Sequence, residues 1–216
     1  MSIAHRGEEL WLLPACVDDA EELVLAVNSS LLELRPYLPW AHRAQTVAFQ
    51  KERLAAIERG YGAGGDQTFH MRLDRGGPIV GCIGLHARTL SSIGTEIGFW
   101  VRSSATGRGL ATLWSQALTV LCFERYGFDR VQCCHNELNL GSARVIDKVG
   151  FKHEGALRRY TRQPSPERVA AGAVSGLLTH MHALCPEDRD ELDWYGHVCS
   201  ALTIYDQDGH PHPAVP

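Results

Sequence analysis

SATGRG, residues 104–109, decides how this chain is read. It follows a strand-like run, IGFWV at 97–101, and precedes a helical one, LWSQALTVLCF at 113–123. Leu110, Leu113, Ala117 and Leu121 recur at helical spacing, so the hexapeptide is the turn between a strand and a helix. The first turn of a helix presents N–H groups without partners and the positive end of the dipole, a setting that suits a phosphate. Gly107 and Gly109 carry no Cβ to hold an anion off the backbone, and Arg108 can add a charged donor from the rim. No Asp or Glu occurs from Ile97 to Phe123, while Arg102 and Arg108 are present. A tight connection with no ligand is the alternative reading. The Walker loop is excluded because GK[ST] is missing, and the dinucleotide fingerprint because Thr112 stands at its third glycine.

The chain around this turn has 216 residues, a length that fits one domain or one domain plus an elaboration, with a net charge of −4 and the composition of an ordinary globular protein. An acidic balance argues against a nucleic-acid or membrane-surface binder. No apolar run approaches the roughly 18 residues of a membrane span, and MSIAHRGEEL lacks the layout of a signal peptide, so a cytoplasmic protein is expected. Seven cysteines without a CxxC pair read as buried, reduced thiols, Cys133 and Cys134 facing opposite sides of a strand.

Along the chain, EELWLLPA reads as a first strand, followed by a helix capped by Asp18 and running through Leu23, Val27 and Leu31. LRPYLPWA (34–41) is broken by prolines, and a second helix runs from about Thr46 to Arg59, before the glycines of GYGAGGD. QTFHMRLD and PIVGCIGLHA form a hairpin, and IGTEIGFWVR leads into the turn. FDRVQCCH is a strand, LGSARVIDKVG a short helix ended by Gly150, and FKHEGALRRYT a strand. Residues 163–190 break this rhythm, with a short helix expected over AGAVSGLLTHMHAL and an acidic run, Glu187, Asp188, Asp190 and Glu191, at the end. LDWYGHVCSALTIYD reads as the last strand. Residues 1–205 are thus expected to form one domain, and 206–216 a flexible tail.

SATGRG lies over the diphosphate-loop pattern [QR]xxGx[GA] of the Gcn5-related N-acetyltransferases (GNAT). Asn139, Ser142, Lys148, Gly150, Phe151, Glu154 and Gly155 follow the N-x-x-S … K-x-G-F-x-x-E-G pattern of the RimJ/RimL type. LRPYLPWA resembles that type's tryptophan segment. With the elements in matching order from about residue 8 to 162, the chain resembles a RimJ/RimL-type GNAT acetyltransferase. It departs at Ser104, where the pattern has Gln or Arg, and after residue 162, where a short turn has grown by about two dozen residues, long for a loop.

The resemblance implies a mixed α/β fold, with about seven largely antiparallel strands, a splayed parallel pair (the fourth and fifth) and flanking helices. It implies acetyl-CoA as cosubstrate and an amine-bearing acceptor, a protein N-terminus or a small molecule. The cofactor would meet Phe99, Trp100, Val101, Arg102, Ser104, Ala105, Thr106, Gly107, Arg108, Gly109, Leu110, Ala111, Asn139 and Ser142. Glu96 resembles the strand carboxylate that takes the amine's proton through water, its alternative being a partner for Arg102. Ser142 would meet the leaving thiolate or contact backbone; His135 is a second base candidate and Tyr160 an acid. Tyr37 and Trp40, with Glu96, would line the acceptor pocket. His180, His182, Cys185, His197, His210 and His212 match no zinc spacing, so no metal is expected. Residues 163–190 would border the acceptor side, their carboxylates attracting a cationic amine, or pack across a homodimer partner, the alternative being a solvated excursion without a role. A catalytically silent acyl-CoA-binding module and a transferase of larger acyl groups are the rival readings.

Overall fold

The computed structural model describes residues 1–61, 65–87, 94–206 and 208–214. Outside them lie residues 62–64 of the expected glycine turn, Ile93 of the strand before SATGRG, and Gln207, Val215 and Pro216 of the expected tail. The chain begins with a hairpin, β1 (Ser2–His5) and β2 (Glu8–Pro14), turned by Arg6 and Gly7 at φ 52° and 82°. Two positive-φ residues make the turn whose twist matches that of the strands. The sequence reading found β2 and missed β1.

Helix α1 (Ala20–Asn28) starts after a 3-10 turn with Asp19, not Asp18, at its N-cap. It also stops before Leu31, because the hydroxyls of Ser29 and Ser30 both donate to the Ala26 carbonyl and compete with the next helical turn. Leu31 instead begins the short α2 (Leu31–Leu34). Helix α3 (Val47–Gly60) starts where expected, with Thr46 Oγ1 accepting from the Phe49 amide. β3 (Gln67–Arg72), β4 (Ile79–His86) and β5 (Gly94–Val101) follow as a meander, then α4 (Leu110–Glu124), β6 (Arg130–Asn136), α5 (Leu140–Val149) and β7 (Lys152–Arg158). The remainder is α6 (Pro166–Ala170), β8 (Leu178–Leu184), α7 (Tyr195–Ala201), β9 (Leu202–Tyr205) and β10 (Pro211–Pro213).

The strands form one sheet in the order β10-β9-β1-β2-β3-β4-β5-β6-β8-β7, antiparallel except for the pair β5 and β6. One face carries α4, α5 and α7 over Leu12, Met71, Ile83, Ile97 and Val131. α4 is apolar nearly all round, with Trp114, Leu118 and Val120 fully buried, as suits a helix enclosed by sheet and neighbours. The other face packs α1 and α3 over Ile79 and Cys82.

The last third corrects the sequence reading. Residues 178–184 are not helical: they form β8, inserted between β6 and β7 and buried at Thr179, His182, Ala183 and Leu184. A strand covered on both faces shows little alternation, and small residues obscure its period. Conversely, residues 195–201 are helical, because Tyr195, Val198 and Leu202 recur at helical spacing against α4. The tail is pinned, as β10 pairs with β9 and Arg125 donates to the carbonyls of Pro213 and Ala214. β1, β8 and β10 account for the difference between the ten strands described and the seven expected.

Candidate active site

Among the described residues, β5 and β6 pair at Gly94–Arg130, Thr95–Val131 and Glu96–Gln132 and no further along β5. Beyond that point each strand keeps its outer neighbour: β5 stays on β4 as far as Val101, and β6 on β8 as far as Asn136. The result is a one-sided gap within a continuous sheet, where the facing strand edges have lost their ladder partners. A cleft of about 620 Å³ opens from it, floored by Glu96–Trp100 and Cys133–Asn136.

The predicted loop sits at the end of β5. Gly107 and Gly109 adopt φ 78° and 80°, and Gly109 is the N-cap of α4. A Cβ at either glycine would meet no atom within 4 Å, so the space before the loop is open. Among the described residues no side chain caps α4, and its first turn holds no acid. The amides of Leu110, Ala111 and Thr112 therefore have no partner inside the helix. Leu110, Ala111 and Ala105 bury their side chains and offer a ligand only backbone. The approach to the loop is fixed by hydrogen bonds: Ser103 N to Ser30 Oγ (3.0 Å), Ser103 Oγ to Glu33 (2.8 Å), Arg102 Nε to Ser29 Oγ (3.1 Å) and Thr106 Oγ1 to Ser103 O (2.9 Å). Ser104 is exposed. Arg108 pairs with Glu8 at 3.0 Å, an exposed contact worth at most about 1 kcal/mol and easily exchanged for a ligand. An anionic group fits this arrangement of open space and unpartnered amides.

Glu96, 7% exposed, lies where the strands part, and Gln132 Nε2 donates to its Oε2 at 2.9 Å. It lines the cleft and does not reach Arg102. Asn139 is the N-cap of α5, its Oδ1 accepting from the Ser142 amide at 3.1 Å, which makes it a positioning residue. The Ser142 side chain takes no part in that cap and lines the cleft. His135 also lines it, with Nδ1 2.9 Å from the Asn136 carbonyl and its ring stacked on His180. Tyr160 is exposed and stands apart from the cleft wall.

Phe99 and Val101 pack toward α4, whereas Trp100 points to the opposite face and meets Trp40 edge-on at 6.1 Å. The Trp100 backbone belongs to the ladder with Cys82 of β4, in register with the Arg102 N to Val80 O bond, so the groups that face the gap here are those of Phe99 and Val101. Tyr37 reaches across the cleft to donate to the Leu138 carbonyl at 3.2 Å. The connection from β7 to β8 closes the same side, with Val174 N donating to Pro36 O at 2.9 Å and Arg35 donating to the Ala171 carbonyl. The acidic run is elsewhere. Asp188 and Glu191 hold Lys152 at 2.7 and 2.9 Å beside the far end of β8, where Leu184 pairs with Val131. The cleft wall instead carries Arg53, Arg162 and Arg168.

Sequence reasoning missed Gln132, Cys134 and these arginines. Strand alternation places Gln132 and Cys134 on the Glu96 face, and that signal was available. Cys133 faces the core as expected, its thiol pushed well up by burial. Three further motif residues are structural: Glu154 forms a two-pronged pair with Arg130, Gly150 ends α5 at φ 90°, and Gly155 sits at a bulge.

Residues 9–152 match the family model of the acetyltransferase (GNAT) domain. Over 82 residues the chain is 32% identical to a candidate ribosomal N-acetyltransferase, YdaF of Bacillus subtilis (strain 168), covering 38% of this chain and 45% of that protein, less than half its length. Over 162 residues it is 25% identical to a candidate N-acetyltransferase of the same organism, YjcK, covering 71% of this chain and 86% of that one. The structure of Mycobacterium smegmatis RimJ in complex with CoA-disulfide superposes with a TM-score of 0.75 at 22% identity, over 92% of this chain and 91% of that one, a likeness of fold.

Proposed function

The chain belongs to the GNAT acetyltransferase family, and on that premise we propose that it transfers an acetyl group from acetyl-CoA to a primary amine in the cleft between β5 and β6. The observation that carries this reading is the sheet gap beginning at Glu96 and Gln132 and leading to a glycine-capped helix start with open space before it. Acetyl-CoA supplies the activated thioester. The backbone groups of Phe99 and Val101, which alternate away from β4 toward the gap, hydrogen-bond its amide-bearing arm, and the amides around Ser104–Ala111 hold its diphosphate. Arg102 keeps the loop in place, and Arg108 exchanges Glu8 for a phosphate oxygen.

Glu96 accepts the acceptor's proton, through water, and Gln132 holds the carboxylate toward the gap. The Ser142 hydroxyl donates to the departing sulfur. An α-amine with a pKa near 8 is about one-tenth neutral at pH 7, whereas a lysine amine near 10.4 is neutral to only a few parts in ten thousand. One carboxylate acting through water therefore suits an N-terminal amine, or a small-molecule amine of similar pKa, better than lysine. Arg53, Arg162 and Arg168 favour an acceptor that carries an acidic group beside its amine.

The test is CoA release from acetyl-CoA with a panel of peptides bearing free or blocked N-termini, and small amines with and without a carboxylate. Release that requires a free amine, with the acetyl group recovered on it, supports the reading. CoA binding without transfer to any member would make the protein a silent acyl-CoA-binding module.

A further inference from the structure

Four histidines far apart in sequence meet on the face of the sheet that carries α5. His180 and His182 are two residues apart on β8 and so point the same way. The β6 register sets His135 opposite His180, and the β7 register sets His153 opposite His182. Ring centroids lie 5.1 Å apart for His135–His180, 5.3 Å for His135–His182, 5.3 Å for His153–His180 and 5.0 Å for His153–His182. His153 Nε2 and His180 Nδ1 are 3.2 Å apart. His182 is only 6% exposed, and among the described residues neither of its ring nitrogens makes a hydrogen bond of good geometry, the Phe151 backbone being a polar group within its reach. Leaving a buried polar group poorly partnered costs up to about 1–3 kcal/mol, so this imidazole is open to a ligand.

We propose that His135, His153, His180 and His182 form a binding site for one divalent cation of the zinc class. Imidazole suits zinc, nickel and copper rather than the oxygen-seeking magnesium and calcium. With Zn–N bonds near 2.0–2.1 Å, rings sharing a tetrahedral cation have centroids roughly 5 Å apart, as four of the six ring pairs here already are. Among the described residues, the group whose ligand atoms lie within 4.8 Å of one another is the exposed Asp206, Asp208 and His210. The four-histidine site is wider, so cation binding requires the imidazoles to turn inward until their nitrogens meet the ion. Burial, together with His135 and His153, holds the pKa of His182 below the usual histidine value, keeping its nitrogens available near neutral pH. Asp147 on α5 and Glu154 on β7 are the carboxylates whose fields reach the cluster, and Glu154 is already engaged by Arg130. Such a site would staple β6 to β8 and β7 beside the cleft and rests on no assumption about acetyl transfer.

The experiment uses the tag-free full chain, stripped with a chelator and titrated with zinc by calorimetry and with cobalt by visible absorption. One equivalent is expected in the histidine site, with tetrahedral cobalt bands and a melting temperature raised by roughly 5–10 °C at a hundredfold excess over Kd. His180→Ala with His182→Ala should abolish that equivalent, and the exposed-site change His153→Gln should weaken it at least about tenfold without disturbing the core. Asp206→Asn with His210→Ala should leave it intact. Lack of sub-millimolar uptake by the wild type, unchanged affinity in folded His153→Gln, or uptake lost only with Asp206 and His210, would each overturn the assignment.

Discussion

Replacing Gly107 and Gly109 together by alanine separates the loop's fold from its ligand. Both residues sit in the left-handed region, where a Cβ costs roughly 1–2 kcal/mol each. Neither new methyl would touch another atom within 4 Å, so no packing cost is added. A total near 2–4 kcal/mol stays below the 5–15 kcal/mol that holds a typical domain folded. The methyl groups would stand in the open space before the amides of α4, and each hydrogen bond to a charged group is worth about 1.5–3 kcal/mol. Losing one or two of the weaker such bonds lowers CoA affinity by roughly ten- to a hundredfold. Calorimetric titration with CoA measures this, with the thermal melt reporting the fold and pantetheine, which lacks the diphosphate, as the control. A folded double variant that binds CoA as tightly as the wild type would refute the placing of the diphosphate at this loop.

Replacing Pro164–Val174 by a short glycine turn should raise the acceptor KM and leave CoA affinity unchanged, because that segment closes the acceptor wall through Pro36; steady-state kinetics with each substrate varied in turn would show it. His182 predicts a pH effect in chelator-treated protein. Its folded pKa lies below the ordinary 6.5, so above pH 6.5 it has no effect on stability. As pH falls through 6.5, the unfolded chain takes up a proton that the folded chain resists, and stability drops until the folded pKa is reached. Urea midpoints between pH 7.5 and 5 should show that drop, and His182→Gln should flatten it.

The site was legible where the chemistry is local. A turn that must adopt positive φ at Gly107 and Gly109 needs glycine, and an N-cap such as Asn139 or Thr46 announces the start of its helix. Glu96 is singled out by a family pattern; the geometry adds Gln132 as its partner, a contact between two strands that separate one residue later. Long-range pairing was not legible. β8 lies between two strands that precede it in sequence, so its burial is set by β6 and β7 and leaves little amphipathic rhythm in LTHMHAL. The same pairing gathers His135, His153, His180 and His182, whose spacing along the chain matched no metal pattern. The acidic run was placed at the cleft because β8 was missed: seven strand residues carry the chain away from the gap before Glu187 is reached.

The most direct test of acetyl transfer in this cleft is the single-turnover rate of Glu96→Gln against wild type, measured across pH with a peptide bearing a free N-terminal amine. Glutamine keeps the shape of the side chain and removes its ability to take a proton. The account predicts unchanged CoA affinity and a rate lowered by about 10²–10⁴-fold at neutral pH. The gap should narrow above the acceptor's pKa near 8, where the amine is already neutral. A loss under about threefold at every pH, with CoA still bound, would contradict the account and show that Glu96 is not the proton acceptor.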